Sequence, residues 1–254
     1  EFNGQDILQL SHREFSGMRR RMQIIFQDPY SSLDPRMTVA QIVTEPLRVD
    51  RRIGRRQRSD IAAGLLDKVG LHAADLCKFP HEFSGGQRQR IGIARALCAR
   101  PELIVADEPV SALDVSIQAQ VINLMQDLQR EFGLSYIFIS HDLSVVEHIC
   151  SRIAVMYLGS IVELATAERF SREPRHPYTA ALLAAVPLPD PHRPGTAMPL
   201  EGDVPNPIDP PSGCPFHPRC RHVFERCPIE KPPLGPAADG HLVACWLNAG
   251  RGLE

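Results

Sequence analysis

The period of the apolar positions changes in a regular order along the chain and predicts a succession of elements. Leu103-Ile-Val-Ala106 is an unbroken apolar run, as expected of a strand buried on both faces of a parallel sheet, and Asp107 and Glu108 follow it at once. Tyr136 to Ile139 is a second such run, ending at Ser140 and His141. Between them Val121, Leu124, Met125 and Leu128 recur at helical spacing. They predict a core-facing stripe on a helix that begins after Asp114 and is capped by Gly133. Upstream, residues 38–82 read as helical, with one stripe of Ile61, Leu65, Leu66 and Val69. Arg51, Arg52, Arg55, Arg56 and Arg58 crowd a linker before that stripe and read as a solvated surface loop. Residues 1–37 read as strand-rich. Residues 83–173 alternate helix and strand, which predicts a parallel sheet covered by helices.

The pattern fails after residue 173. Of the 23 prolines, 17 lie from Pro174 onward, a density that argues against long helices and central strands. One short helix is expected at Tyr178 to Ala185, and otherwise an irregular extension over 174–254. A chain of 254 residues with 43% apolar and 23% charged positions suits one α/β domain with such an appendage. A formal charge of −2 gives no footprint for bulk nucleic acid, and no apolar run approaches the roughly 20 residues of a membrane span. Any membrane association is expected to come through protein partners.

Three short motifs carry candidate chemistry. Ser84-Gly85-Gly86-Gln87 opens a helical pattern, so backbone N–H groups and the helix dipole can face an anion, and the glycines allow close approach. Asp107 and Glu108 stand at the carboxyl end of a strand, where open α/β sheets place ligands. Ser140-His141-Asp142 ends the next strand. Singly, these motifs read as a turn, a solvated strand end and a structural histidine. In this order, with Ser111-Ala-Leu-Asp114 after the second, they read as half of an ATP-hydrolysing site.

This set resembles the nucleotide-binding subunit of an ABC transporter. Ile24 to Val39 resembles the Q-loop region of that family, with Gln27 at a strand end, and its Asp-Pro-Tyr-Ser-Ser-Leu-Asp-Pro wording is that of the oligopeptide and dipeptide importer ATPases. Arg175-His-Pro-Tyr178, with the residues that follow it to Pro187, resembles the C-terminal extension of those same ATPases. The resemblance implies a P-loop NTPase-like core over residues 1–173, with a helical subdomain at 38–82 and the extension at 174–254. It implies ATP and Mg²⁺ as cofactors, Asp107 near the metal, Glu108 toward the attacking water, Gln27 completing that shell and His141 at the γ-phosphate. Ser84, Gly85, Gly86 and Gln87 would serve a nucleotide held by a second ATPase subunit, copy or paralogue, to which Asp114 bridges. Two membrane permease subunits, an external binding protein acting indirectly, and a place on the cytoplasmic face of a bacterial inner membrane complete what it implies, with no nucleic-acid partner. A string G-x-x-x-x-G-K-[ST], which would cradle the phosphates, does not occur. The expectation is therefore an N-terminally truncated subunit, inactive alone. Two alternatives stay open: a non-catalytic fragment supplying only the SGGQ half-site, and a soluble ABC ATPase acting on nucleic acid.

The cysteines add a separate expectation. Cys77, Cys98 and Cys150 fall in helical segments and read as small buried hydrophobes. Cys214, Cys220, Cys227 and Cys245 stand as C-x5-C-x6-C-x17-C in the proline-rich extension. Disulfides are disfavoured in the reducing compartment of an ATP-using protein, so four thiols suggest a metal. The spacing departs from zinc ribbons, and all-thiolate sets are the usual ligands of a [4Fe–4S] cluster. Some importers of the resembled family carry one in this extension. The readings are a cluster, zinc with His217 or His222 assisting, or no metal.

Overall fold

A computed structural model describes residues 1–48, 52–186, 200–238 and 240–248. These fall into two compact units, Glu1–His141 and Asp142–Glu254. The division lies well before residue 174, where the composition changes.

The first unit opens with α1 (His12–Met18) and β1 (Met22–Ile25). A capping box starts α1: Ser11 Oγ accepts from the Glu14 N–H, and the Glu14 carboxylate accepts from the Ser11 N–H at 3.0 Å. This segment is thus one helix and one strand, not strand-rich. The helical stretch that follows holds α2 (Val39–Val43) and α3 (Arg55–Lys68) with short 3₁₀ turns around them. In α3, Ala62 and Leu66 are buried, as is Val69 at its end, while Ile61 and Leu65 are half-buried. Arg55, Arg56 and Arg58 belong to the first turn of that helix rather than to a linker, and Arg51 lies outside the described residues.

Then come α4 (Gly85–Leu97), β2 (Leu103–Asp107), α5 (Val115–Phe132) and β3 (Ser135–Ile139). The expected stripe on α5 is present, with Val121, Met125 and Leu128 buried, and Gly133 ends the helix in the left-handed conformation at φ 65°. The three strands form one parallel sheet in the order β1-β2-β3, with Ile25, Ala106 and Phe138 in one row and Ile24, Val105 and Ile137 in the next. Alternation puts Ile25, Ile104 and Ala106, all buried, on one face with the half-buried Tyr136 and Phe138. The opposite face is open: Ile24, Ile137 and Ile139 are 40%, 52% and 46% exposed. The expectation that Leu103 to Ala106 is buried on both sides therefore holds for one side only.

The second unit runs through α6 (Leu143–Ile149), β4 (Arg152–Tyr157), β5 (Ser160–Thr166), α7 (Ala167–Arg172), α8 (Pro177–Ala184), β6 (Gly235–Ala238) and β7 (His241–Val243). Its sheet is antiparallel, ordered β4-β5-β7-β6, and so is not the continuation of a parallel sheet expected for residues up to 173. The reason is local. Leu158 and Gly159 join β4 to β5 with φ of 44° and 74°, the backbone of a two-residue hairpin turn. The extension supplies α8 as expected, but also the interior strand β7, whose three residues include no proline. Proline enters the sheet at Pro236, on the edge strand β6, where a missing N–H is tolerated.

Polar groups hold the extension to this sheet. Glu163 on β5 is completely buried. Its carboxylate accepts from the Arg175 N–H at 2.8 Å and the His176 N–H at 2.9 Å, and lies 2.6 Å from Nε2 of the equally buried His241 on β7. His176 in turn accepts the Tyr178 N–H on Nδ1 at 3.1 Å, capping α8. Burial pushes the His176 imidazole down to about 4, so it is neutral and Nδ1 is free to accept. Glu163→Ala leaves the Arg175 and His176 N–H groups and the His241 ring facing a void, and should cost more than about 3 kcal/mol. Denaturation followed by fluorescence of Trp246, the single tryptophan, reads this unit directly; a midpoint unchanged from wild type would mean that Glu163 does not hold the extension.

Candidate functional site

Parallel pairing aligns the carboxyl ends of β1, β2 and β3, and the candidate residues lie just beyond those ends. Gln27 Nε2 donates to Glu108 Oε2 at 2.8 Å, and His141 Nδ1 lies 3.2 Å from Glu108 Oε1. Three distant segments therefore meet on one carboxylate. Glu108 is a quarter exposed and His141 is largely exposed, so the group faces solvent with Glu108 at its base. Asp107 ends β2 on the open side of the sheet, half-buried, and its side chain has no hydrogen-bond or ion-pair partner among the described residues. An unpaired carboxylate beside Glu108 suits a hard cation such as Mg²⁺.

The backbone of Glu108 is unusual. Its φ is 43°, in the left-handed region that residues with a side chain seldom occupy, at a cost of about 1–2 kcal/mol. Pro109 follows and pushes its predecessor toward extended backbone, which adds to that cost. The Glu108 N–H donates to the Ile139 carbonyl at 3.0 Å, so the residue is pinned to the end of β3.

The SGGQ segment begins α4. Ser84 Oγ accepts from the Gln87 N–H at 3.3 Å, and the Gln87 side chain accepts from the Ser84 N–H at 3.0 Å. This capping box satisfies Gln87, while the N–H groups of Gly85 and Gly86 make no backbone hydrogen bond among the described residues. A Cβ on Gly85 would stand 3.5 Å from Leu113 Cδ2, and one on Gly86 only 2.5 Å from Ile117 Cγ2. Gly86 thus admits α5 to the start of α4, a packing demand that exists whether or not an anion approaches. Asp114 occupies the N-cap position of α5 between those contacts, exposed, its side chain making no cap hydrogen bond.

In the second unit Cys214, Cys220, Cys227 and Cys245 line one cavity together with His176 and Phe216. All four are free thiols. The Cys214 N–H donates to the Cys227 carbonyl at 2.8 Å. Gly213, at φ 68°, leaves no room for a Cβ against the Cys227 and Pro228 backbone. Burial raises the thiols of Cys214 and Cys220 and takes Cys245 up to about 11, with the neighbouring thiols adding to the effect. The side chains share a cavity without meeting at a point: among the described residues no group of three or more His, Cys, Asp or Glu is arranged to hold a metal ion. Of the other cysteines Cys98 is buried and Cys150 half-buried, but Cys77 is exposed, contrary to expectation.

Sequence reasoning passed over Glu163 and His241, whose pairing spans the chain from β5 to β7, and gave no role to Ser111. For Glu163 a signal existed: a single carboxylate in the otherwise apolar stretch Ile161 to Ala165.

Residues 1–111 match the ABC transporter family, and residues 162–227 match the C-terminal region of oligopeptide/dipeptide transporters. Two solved structures share the fold. One is cbiO1 from Clostridium perfringens, part of the ABC transporter complex cbiONQ (TM-score 0.58, 26% identity, 64% of each chain covered). The other is the ATP-binding cassette MJ0796 in a dimeric, ADP- and Pi-bound state (TM-score 0.55, 29% identity, 63% of this chain and 68% of that one). The fold is that of an ABC ATPase. The probable peptide ABC transporter ATP-binding protein y4tS of Sinorhizobium fredii is 57% identical over 246 residues, covering 97% of this chain and 70% of that protein. The dipeptide transport ATP-binding protein DppF of Haemophilus influenzae is 48% identical over 245 residues, covering 96% and 75%. The chain belongs to the ATP-binding proteins of the peptide ABC transporter family.

The α4–α5 contact gives a direct test. Ile117 is β-branched and stiff, so Gly86→Ala should destabilise the first unit by about 1–3 kcal/mol despite alanine's better helix propensity. Urea denaturation checks this, and Ile117→Ala in the same chain should recover part of the loss. A stabilised Gly86→Ala protein would mean that the glycine is not kept for packing.

Proposed function

We propose that this protein is the ATP-binding subunit that energises peptide import across a bacterial inner membrane. It would act from the cytoplasmic face, beside a second ATPase subunit and two permease subunits, with an external binding protein delivering the peptide. The observation that carries the reading is the convergence of Gln27 and His141 on Glu108, in a chain whose residues 162–227 match the peptide-transporter extension. That match favours transport over action on nucleic acid. No helix among the described residues is long and apolar enough to cross a membrane, so the permease role would fall to other chains.

In this reading Glu108 accepts the proton of the attacking water or orients it, and Gln27 fixes the position of its carboxylate. His141, on the exposed side, would face the negative charge that develops on the transferring phosphoryl group. Asp107 would hold Mg²⁺, which when bound neutralises phosphate charge. Ser84 to Gln87 would serve the partner subunit's nucleotide: the Gly85 and Gly86 N–H groups and the dipole of a 13-residue helix suit a phosphate. Asp114 would reach the partner. The 254 residues contain no G-x-x-x-x-G-K-[ST] string, so the chain contributes the carboxylate side of one site and the SGGQ side of another. By itself it should turn over no ATP.

In the assembled transporter, Glu108→Gln should lower ATP turnover by roughly 10²–10⁴ while nucleotide binding survives. Turnover at the wild-type rate in that variant would remove Glu108 from the chemistry. ATPase activity in the 254-residue chain alone, abolished by Glu108→Gln, would overturn the half-site account.

We further propose that the cavity of Cys214, Cys220, Cys227 and Cys245 holds a [4Fe–4S] cluster with a structural role. The support is chemical: four free thiols in one cavity are the donor set such a cluster takes. Protein purified without oxygen should then be brown, with iron and sulfide each near four per chain, and Ser at any of the four positions should bleach it. A colourless protein with about one zinc would replace the cluster by zinc, and a metal-free protein with ordered residues 200–248 would end the metal reading.

A further inference from the structure

Glu108 occupies a backbone conformation that neither its side chain nor the following proline favours, so the surrounding structure must hold it there. Its N–H is tied to Ile139, at the end of β3. Its carbonyl is tied twice to one residue: the Ser111 N–H donates to it at 3.2 Å, and Ser111 Oγ donates to it at 3.1 Å. Between the two, Pro109 and Val110 are buried, so the turn that returns Ser111 to Glu108 is anchored in the interior. The main chain of Glu108 is thus clamped on both sides of its Cα, by β3 on the amide and by Ser111 on the carbonyl.

We propose that Ser111 is a positioning residue for Glu108, its hydroxyl holding the left-handed backbone that aims the carboxylate between Gln27 and His141. The inference rests on the reading of Glu108 as the group that faces the attacking water. The direction of a Cα–Cβ bond follows from φ and ψ. A Glu108 that relaxed to negative φ would swing its carboxylate away from Gln27 Nε2 and His141 Nδ1, now 2.8 and 3.2 Å from its two oxygens. Ser111 touches neither oxygen. It acts through the peptide that carries them. The Ser111 N–H alone, shared by any residue at that position, leaves one bond where the structure has two.

The experiment has two arms. In the assembled transporter, Ser111→Ala should lower kcat roughly five- to tenfold, the size expected of one hydrogen bond, with the KM for ATP unchanged. Ser111→Thr keeps the hydroxyl and should restore kcat, and Ser111→Ala should cost nothing more on a Glu108→Gln background. In the 254-residue chain, hydrogen exchange should show the Glu108 amide of Ser111→Ala losing protection while the amides of Ile104 to Ala106 keep theirs. If Glu108→Gln leaves turnover intact, the functional reading fails and the exchange arm still decides the clamp. If Glu108→Gln abolishes turnover but Ser111→Ala keeps wild-type kcat and a protected Glu108 amide, the clamp fails alone. Protection lost throughout β2, or a raised KM for ATP, would make Ser111 a general packing residue and overturn the proposal.

Discussion

The parallel register of β1, β2 and β3 is the constraint on which the site depends. Gln27, Glu108 and His141 are far apart in sequence, and each lies within two residues of a strand's carboxyl end. Pairing Ile25 with Ala106 and Asp107 with Ile139 sets those ends level. A one-residue slip would send every side chain of the shifted strand to the opposite face and separate the carboxylate from its partners. Helices α4 and α5 act on the same unit from another side. Their contact at Gly86 and Ile117 sets the SGGQ turn beside the start of α5, so the packing that places Asp114 also places the Gly85 and Gly86 amides.

Strain at Glu108 persists because so many bonds oppose its release. A left-handed glutamate ahead of a proline persists only when its surroundings over-determine it, and here the amide, the carbonyl and both carboxylate oxygens all have partners. A glycine would adopt the backbone with ease but carry no carboxylate, and an extended glutamate would be unstrained but aimed elsewhere. The geometry therefore fits a residue held for its chemistry at some expense of stability, which is where local sequence preference is expected to fail.

The placement of the candidate residues was legible in the sequence because their motifs are short and sit at strand ends and a helix start, where a few residues determine local structure. Gln27, Asp107, Glu108 and His141 come together at the sheet as their positions implied, and Ser84 to Gln87 begin a helix. What escaped was non-local or lay in a backbone angle. The φ of Glu108 cannot be read from an Asp-Glu-Pro string, and with it went the role of Ser111. The reversal from parallel to antiparallel sheet hangs on Leu158 and Gly159; Gly159 signals a turn, but Leu158 at positive φ does not announce itself. The open face bearing Ile24, Ile137 and Ile139 also escaped. An apolar run reports that a strand tends to be covered, not what covers it.

The extension shows how a proline-rich chain becomes ordered with a small apolar core. Its prolines remove backbone donors, which lowers the yield of regular pairing, so order must come from side chains that reach across. Glu163 supplies that reach: one buried carboxylate gathers the amides of Arg175 and His176 and the ring of His241, tying the start of α8 and strand β7 to β5. His176, held by its amide and capping α8 with its ring, also forms part of the wall of the four-cysteine cavity, with Phe216 packed against it. The Arg175 to Tyr178 segment therefore joins the sheet to that cavity through His176, beside Tyr157 of β4, which packs edge-on against Phe216, and Cys245, which follows β7. The segment that resembles the family's extension in sequence is, in the fold, one of the contacts between the sheet and the four cysteines.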